Sequence, residues 1–123
     1  MAMDDTTTVA QLRRVVEHFV AERDWHQFHT PKNLAMALAI EAAELMEHFQ
    51  WIDNPASVAL ADDAQRRAEV AEELADVASY VLAMSSAMRI DLSQAVSDKM
   101  AKNAIKYPAG QFRGRWGAGD ESK

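Results

Sequence analysis

Thr30-Pro31-Lys32-Asn33-Leu34-Ala35-Met36-Ala37-Leu38-Ala39-Ile40-Glu41-Ala42-Ala43-Glu44-Leu45-Met46-Glu47-His48-Phe49-Gln50-Trp51 is the stretch on which the fold turns. Thr30 has a side chain that caps a helix, and Pro31 suits the first helical position, so a helix is predicted to start here. Leu34, Leu38, Leu45 and Phe49 recur at helical spacing and predict one inward face running to about Trp51. Glu41 lies three residues from Leu38 and seven from Leu34, in line with that face. Asp53-Asn54-Pro55 then predicts a turn.

Working outward, the same periodicity yields three more helices. The first runs from about Thr8 to Arg23, with Val9, Leu12, Val16, Phe19 and Val20 on one stripe. The third starts near Asp62 or Asp63 and reaches about Met88, with Val70, Leu74, Val77, Val81 and Met84 inward. Asp91 opens the fourth, and Gln94 stands where a capping box would place it. Leu92, Ala95, Val96, Met100 and Asn103 share the inner face of that helix, and Pro108 with Gly110 ends it. No strand pattern and no repeat is present. The reading is therefore all-α, a four-helix bundle in a single domain over residues 1–123, with a core at about 8–108 and a frayed tail from about Ala118. The second and third helices are expected to form an antiparallel pair.

Composition agrees. Four Gly and three Pro among 123 residues, with 49% hydrophobic content, suit helices and exclude a disordered body. A chain of this length is expected to bury roughly two-thirds of its unfolded surface. The absence of Cys removes disulfides and thiolate metal sites, and no leader pattern or apolar run long enough for a bilayer is present, so a cytoplasmic protein is expected, with no membrane partner. The net charge of −6 argues against a general nucleic-acid binder. The charge is unevenly spread: residues 33–88 hold ten carboxylates and only Arg66 and Arg67, whereas residues 89–115 hold six bases against Asp91 and Asp98. An acidic middle and a basic end suit cations and anions respectively.

The acids themselves are patterned. Glu41 and Glu44 on the second helix, and Glu73 and Asp76 on the third, are each spaced by three and so share a face. Glu73 precedes Val77 by four, so both pairs edge into the expected interface. Two carboxylates 6 Å apart at an effective dielectric near 20 repel by roughly 3 kcal/mol. No Lys or Arg lies between Asn33 and Gln65 or between Ala68 and Met88 to relieve this. A hard divalent cation would, and all-oxygen ligation points to magnesium, with manganese as a substitute. A di-iron bundle would want Glu-x-x-His, which the chain lacks. His26 and His29 have zinc-like spacing but no third soft ligand nearby, which favours hydrogen bonding, stacking or packing.

Trp25-His26-Gln27-Phe28-His29-Thr30-Pro31-Lys32-Asn33, then Glu41-Ala42-Ala43-Glu44, Phe49-Gln50-Trp51, Glu72-Glu73-Leu74-Ala75-Asp76, and Lys99-Met100 with Asn103, Lys106, Tyr107 and Pro108 occur in that order. This resembles the all-α nucleoside triphosphate pyrophosphohydrolases of the MazG-like superfamily, and within it the dCTP pyrophosphatase type, over about residues 9–108. The resemblance implies that Glu41, Glu44, Glu73 and Asp76 bind magnesium, that Trp25, His29 and Trp51 shape the base pocket, and that Asn33, Tyr80, Lys99, Asn103, Lys106 and Tyr107 meet sugar and phosphates. It further implies a homo-oligomer, commonly a tetramer built as a dimer of dimers, with pockets lined by more than one chain. The expected reaction is hydrolysis of dCTP, or a cytosine-modified relative, to the monophosphate and pyrophosphate, as nucleotide-pool house-cleaning. Glu44 and Glu72 are the two candidates for orienting or deprotonating the attacking water. A related enzyme of different or broad base preference, and a non-enzymatic helical interaction protein, are the alternatives.

Overall fold

In a computed structural model, which describes residues 2–115, every helix of more than five residues begins at a side chain able to cap it. Helix α1 (Val9–Glu22) starts with a full capping box: Thr8 Oγ1 accepts from the Gln11 N–H at 3.1 Å, and Gln11 Oε1 accepts from the Thr8 N–H at 2.7 Å. A 3-10 turn (Trp25–Gln27) leads to α2 (Pro31–Glu47), capped by Thr30 with Pro31 in the first turn. Helix α3 (Asn54–Ala59) and a 3-10 turn (Leu60–Asp62) precede α4 (Ala64–Ala87), capped by Asp63. Helix α5 (Leu92–Lys106) is capped by Asp91, and α6 (Ala109–Phe112) follows it. Each such cap contributes about 1 kcal/mol. No strand occurs among the described residues, so the fold is all-helical.

Four boundaries differ from the sequence reading. Helix α2 stops at Glu47, not near Trp51, because backbone bonds tighten from four-residue to three-residue spacing at His48, Phe49 and Ile52 and turn the chain. Asp53-Asn54-Pro55 starts a helix as well as making a turn: Asp53 Oδ1 accepts from the Ala56 N–H at 2.9 Å, and Pro55 fits the first turn of α3. The box at Asp91 is half formed, since the Gln94 side chain donates to Asp98 Oδ1 at 2.8 Å and does not reach back. Gly110 lies inside α6; α5 ends earlier because Pro108 drives Tyr107 out of the helical region, to φ −124° and ψ 71°. The expected fraying from Ala118 falls outside the described residues.

The chain divides into two compact units, Met1–Ile90 and Asp91–Lys123. In the first, α2 packs along α4, and α1 packs on α4 as well. Val20, Leu34, Leu82 and Ala83 form the fully buried core, with the Ser85 hydroxyl satisfied by donating to Leu82 O at 2.7 Å. Leu38, Leu45, Val70, Val77 and Val81 are half-buried. Val9, Leu12, Phe19 and Leu74, expected inward, remain exposed, because α1 and α2 cover only part of the circumference of α4. The interior is accordingly smaller than two-thirds burial would require. In the second unit Leu92 and Asn103 are half-buried, Ala95, Val96 and Met100 are exposed, and the Tyr107 and Phe112 rings meet edge to face at 5.2 Å. No helix among the described residues is long and apolar enough to cross a membrane.

Helix α4 ends in a Schellman motif: the Ile90 N–H donates to Ser85 O at 2.8 Å and the Arg89 N–H to Ser86 O at 3.1 Å. This places Arg89 at φ 54°, a left-handed conformation that glycine adopts without penalty. Arg13 Nη2 donates to Ile90 O at 3.3 Å and pins the motif to α1. Arg89→Gly is therefore expected to stabilise the protein by about 0.5–1 kcal/mol, while Arg89→Ala gives no such gain. Urea denaturation of the two variants beside the parent checks it.

Candidate metal centre and adjoining pockets

The packing of α2 on α4 carries the acids with it. One carboxylate oxygen from each of Glu41, Glu73 and Asp76 lies within 4.8 Å of the others. Glu41 and Glu73 are half-buried and Asp76 is exposed. Glu44, also exposed, stands near enough for its charge to act on both Glu41 and Glu73, but it lies outside the three-carboxylate group. Glu72, one residue along α4, is exposed and stands outside the three-carboxylate group.

Desolvation in the helix interface is the main cause that holds the Glu41 carboxyl above the usual carboxylate range. A hydrogen bond with Glu44 and the charges of Glu44, Asp76 and Glu73 push the same way. Glu73 is raised by desolvation, then by the charge and hydrogen bond of Glu44 and by Asp76, while His48 opposes the rise. Glu41 Oε2 and Glu73 Oε2 are buried with no hydrogen-bond partner. Two orphaned buried oxygens in an all-oxygen, acid-only set fit a hard divalent cation, the partner that such a set lacks within its own helices.

Beside the acids is a cavity of about 340 Å³, lined by Val15, Val16, Phe19 and Val20 of α1, Trp25 and His29 of the connection, and Asp76, Ser79, Tyr80 and Ala83 of α4. Asp76 thus belongs to both the acid group and the cavity wall. Asp24, at φ 53° and ψ 38°, redirects the chain so that Trp25 opens the 3-10 turn. The Trp25 ring meets Phe19 edge-on at 5.7 Å, and Phe19 is itself held by the Arg23 guanidinium, 3.6 Å over its ring centre. Arg23 Nη1 also donates to Phe19 O at 2.9 Å.

A second cavity, about 200 Å³, shares Val20, His29 and Ala83 with the first and adds Glu17, His26, Ser86 and Ala87. A third, also about 200 Å³, lies under α3 between Phe49, Leu60, Arg67 and Val70.

The sequence-predicted residues separate into groups. Glu41, Glu44, Glu73 and Asp76 come together, and Trp25, His29 and Tyr80 share the neighbouring cavity. Trp51 is 87% exposed and lines none of the three cavities. The Asn33 amide donates to Phe28 O at 3.0 Å, tying the 3-10 connection to the start of α2. Lys99, Asn103, Lys106 and Tyr107 lie on or at the end of α5 in the second unit, where Lys106 Nζ stands 5.3 Å from the Tyr107 ring centre. Sequence reasoning missed the roles of Val16 and Phe19 as cavity wall, of His48 beside Glu73, and of Glu17 and Ser86 in the second cavity. Glu17 carried a usable signal, since it borders the apolar stripe between Val16 and Val20 much as Glu41 borders its own.

A sequence profile of the MazG-like family matches residues 36–116. The chain is 43% identical over 107 residues to dCTP pyrophosphatase 1 of Bos taurus, covering 87% of this chain and 63% of that protein. To dCTP pyrophosphatase 1 of Homo sapiens it is 43% identical over 102 residues, covering 83% and 60%. The chain thus spans about three-fifths of the length of these curated relatives. Among solved structures, a pyrophosphatase from Archaeoglobus fulgidus superposes with a TM-score of 0.77 at 37% identity, covering 88% of this chain and 99% of that one. With half of its length and more inside the family profile, and the fold of a solved pyrophosphatase along nearly all of that chain, the protein belongs to the MazG-like family.

Proposed function

We propose that the chain is a cytoplasmic nucleoside triphosphate pyrophosphohydrolase, one functional domain over residues 1–123, that converts dCTP or a cytosine-modified relative to the monophosphate and pyrophosphate. The observation that carries this is the double membership of Asp76, which joins the acid group to the aromatic-lined cavity and makes them one site. The activities for which the mammalian and archaeal relatives are named support the same reaction class. Glu41, Glu44, Glu73 and Asp76 would hold magnesium, replaceable by manganese, which would supply charge neutralisation for the phosphates and a more acidic water.

The residues divide the remaining work. Water oxygen attacks the α-phosphorus, its bond forming as the bond to the pyrophosphate oxygen breaks. Glu44, exposed at the rim of the acid group, accepts the proton from that water; Glu72 is the second candidate. Trp25, Tyr80 and His29 receive the base, with stacking contributing about 1–3 kcal/mol. Asn33, Lys99, Asn103, Lys106 and Tyr107 supply donors and positive charge of the kind that sugar and phosphates require, a reading that rests on the family resemblance. Exposed Val15, Met36, Ile40 and Leu74 in the first unit support a homo-oligomer, a dimer of dimers, in which Trp51 of a second copy closes the open side of the base pocket.

Three outcomes are expected. Purified protein releases pyrophosphate from dCTP faster than from purine triphosphates and only with magnesium or manganese; orthophosphate release alone sinks the assignment. Glu41→Gln and Asp76→Asn each lose at least tens-fold in turnover while circular dichroism stays helical. Mixing inactive Glu41→Gln with Trp51→Ala, whose KM is raised for every pyrimidine triphosphate, restores part of the lost activity if one pocket draws on two chains.

The raised Glu41 and Glu73 carboxyls also set a pH dependence for the metal-free protein. A carboxyl lifted above its ordinary 4.5 in the folded state binds more protons folded than unfolded, so this contribution to stability falls as pH rises from about 4.5 through the raised values. The metal-free Tm is expected to drop across that range more steeply in the parent than in a Glu41→Gln, Glu73→Gln double variant. Magnesium should raise the parent Tm more at pH 7 than at pH 5, which a thermal melt series measures.

A further inference from the structure

Helix α4 carries three serines on its C-terminal half, and they are not treated alike. Ser79 Oγ donates to Ala75 O at 2.8 Å, and Ser85 Oγ donates to Leu82 O at 2.7 Å, so both hydroxyls are satisfied one turn back. Ser86, a half-buried residue, has its Oγ atom removed from solvent yet without a hydrogen-bond partner. A buried hydroxyl left unpaired is costly, so its partner is to be sought in the cavity that Ser86 lines.

That cavity is the second one, and its polar content is specific. Besides Ser86 it presents the Glu17 carboxylate, half-buried and 3.7 Å from His26 Nε2, together with His29. Val20, His29 and Ala83 are walls of this cavity and of the larger, aromatic-lined one. The smaller cavity is therefore the neighbour, across these shared walls, of any ring held against Trp25 and Tyr80 in the larger one. An ionised carboxylate only accepts hydrogen bonds, whereas a serine hydroxyl both donates and accepts.

We propose that the second cavity is the edge-reading end of the base pocket, where Glu17 and Ser86 select an amino-bearing pyrimidine over its keto counterpart. This rests on the hydrolase reading above and assigns base choice to Glu17 and Ser86. The exocyclic amine of cytosine offers the N–H that Glu17 accepts, with Ser86 Oγ completing the contact. Uracil turns a carbonyl oxygen toward the same carboxylate and sets two acceptors against each other. Glu17 and Ser86 are specificity residues: they touch the base and leave the reacting phosphorus untouched.

The test uses the full chain with Glu17→Gln and Ser86→Ala as separate variants. The kcat/KM ratio of dCTP to dUTP is measured with magnesium, and dCMP and dUMP binding is measured by calorimetry without it. Glu17→Gln is expected to lower the dCTP-to-dUTP ratio about tenfold, because its amide also donates, and Ser86→Ala about threefold. The dCMP-to-dUMP affinity ratio is expected to fall in parallel, a change that loss of general stability does not produce. If the parent prefers dCTP but both variants, folded by circular dichroism, keep the parent ratios within twofold, this inference is overturned and the hydrolase reading stands. If the parent turns over neither pyrimidine, both fall together.

Discussion

The mutual repulsion of four carboxylates in one helix interface is the constraint on which the rest of the structure depends. Glu41, Glu73 and Asp76 converge, with Glu44 beside them, where α2 packs on α4, and desolvation and like charge both oppose ionisation of Glu41 and Glu73. An interface that carries such a load must be held by something else. Leu34 is buried in α2, and Leu82 and Ala83 are buried in α4; these residues hold the two helices in register while the acids strain against it. The metal-free fold is therefore a compromise between apolar burial and charge. It leaves an acid-lined notch whose two orphaned oxygens await a cation.

Much of this was legible along the chain because the informative signals are local. Caps at Thr8, Thr30, Asp63 and Asp91 declare four helix starts by contacts three residues apart. The three-residue spacing of each acid pair places both members on one helix face whatever the tertiary packing does. What required coordinates was which apolar positions find a partner. Leu74 has the same periodicity as Val77 and Val81, yet stays exposed, because periodicity reports a face and not what covers it. Asn33 is of the same kind: the resemblance implied a substrate contact, and nothing in its sequence position announced that one amide N–H is engaged by Phe28 O.

The aromatic-lined cavity was less legible than the acid group for a further reason. A metal site needs several like charges, which stand out against an apolar stripe. A base pocket needs walls, and walls are made of ordinary residues such as Val16, Val20 and Ala83 that look like core. Ser86 is the extreme case. Nothing in its sequence neighbourhood separates it from Ser85, and only the direction of two hydroxyls distinguishes a satisfied group from an unsatisfied one.

The caps bear on how the protein is made as well as on its shape. Because each helix start is settled within a single turn, nascent helices can form in the unfolded chain without waiting for distant contacts. The search then reduces to docking a few preformed segments on α4, the low-contact-order route by which helical proteins fold quickly. It also frees the cavity walls to change. A substitution at Val16 or Ser86 leaves every cap intact, so the shape and polarity of the cavities can change while the scaffold still assembles at its usual pace.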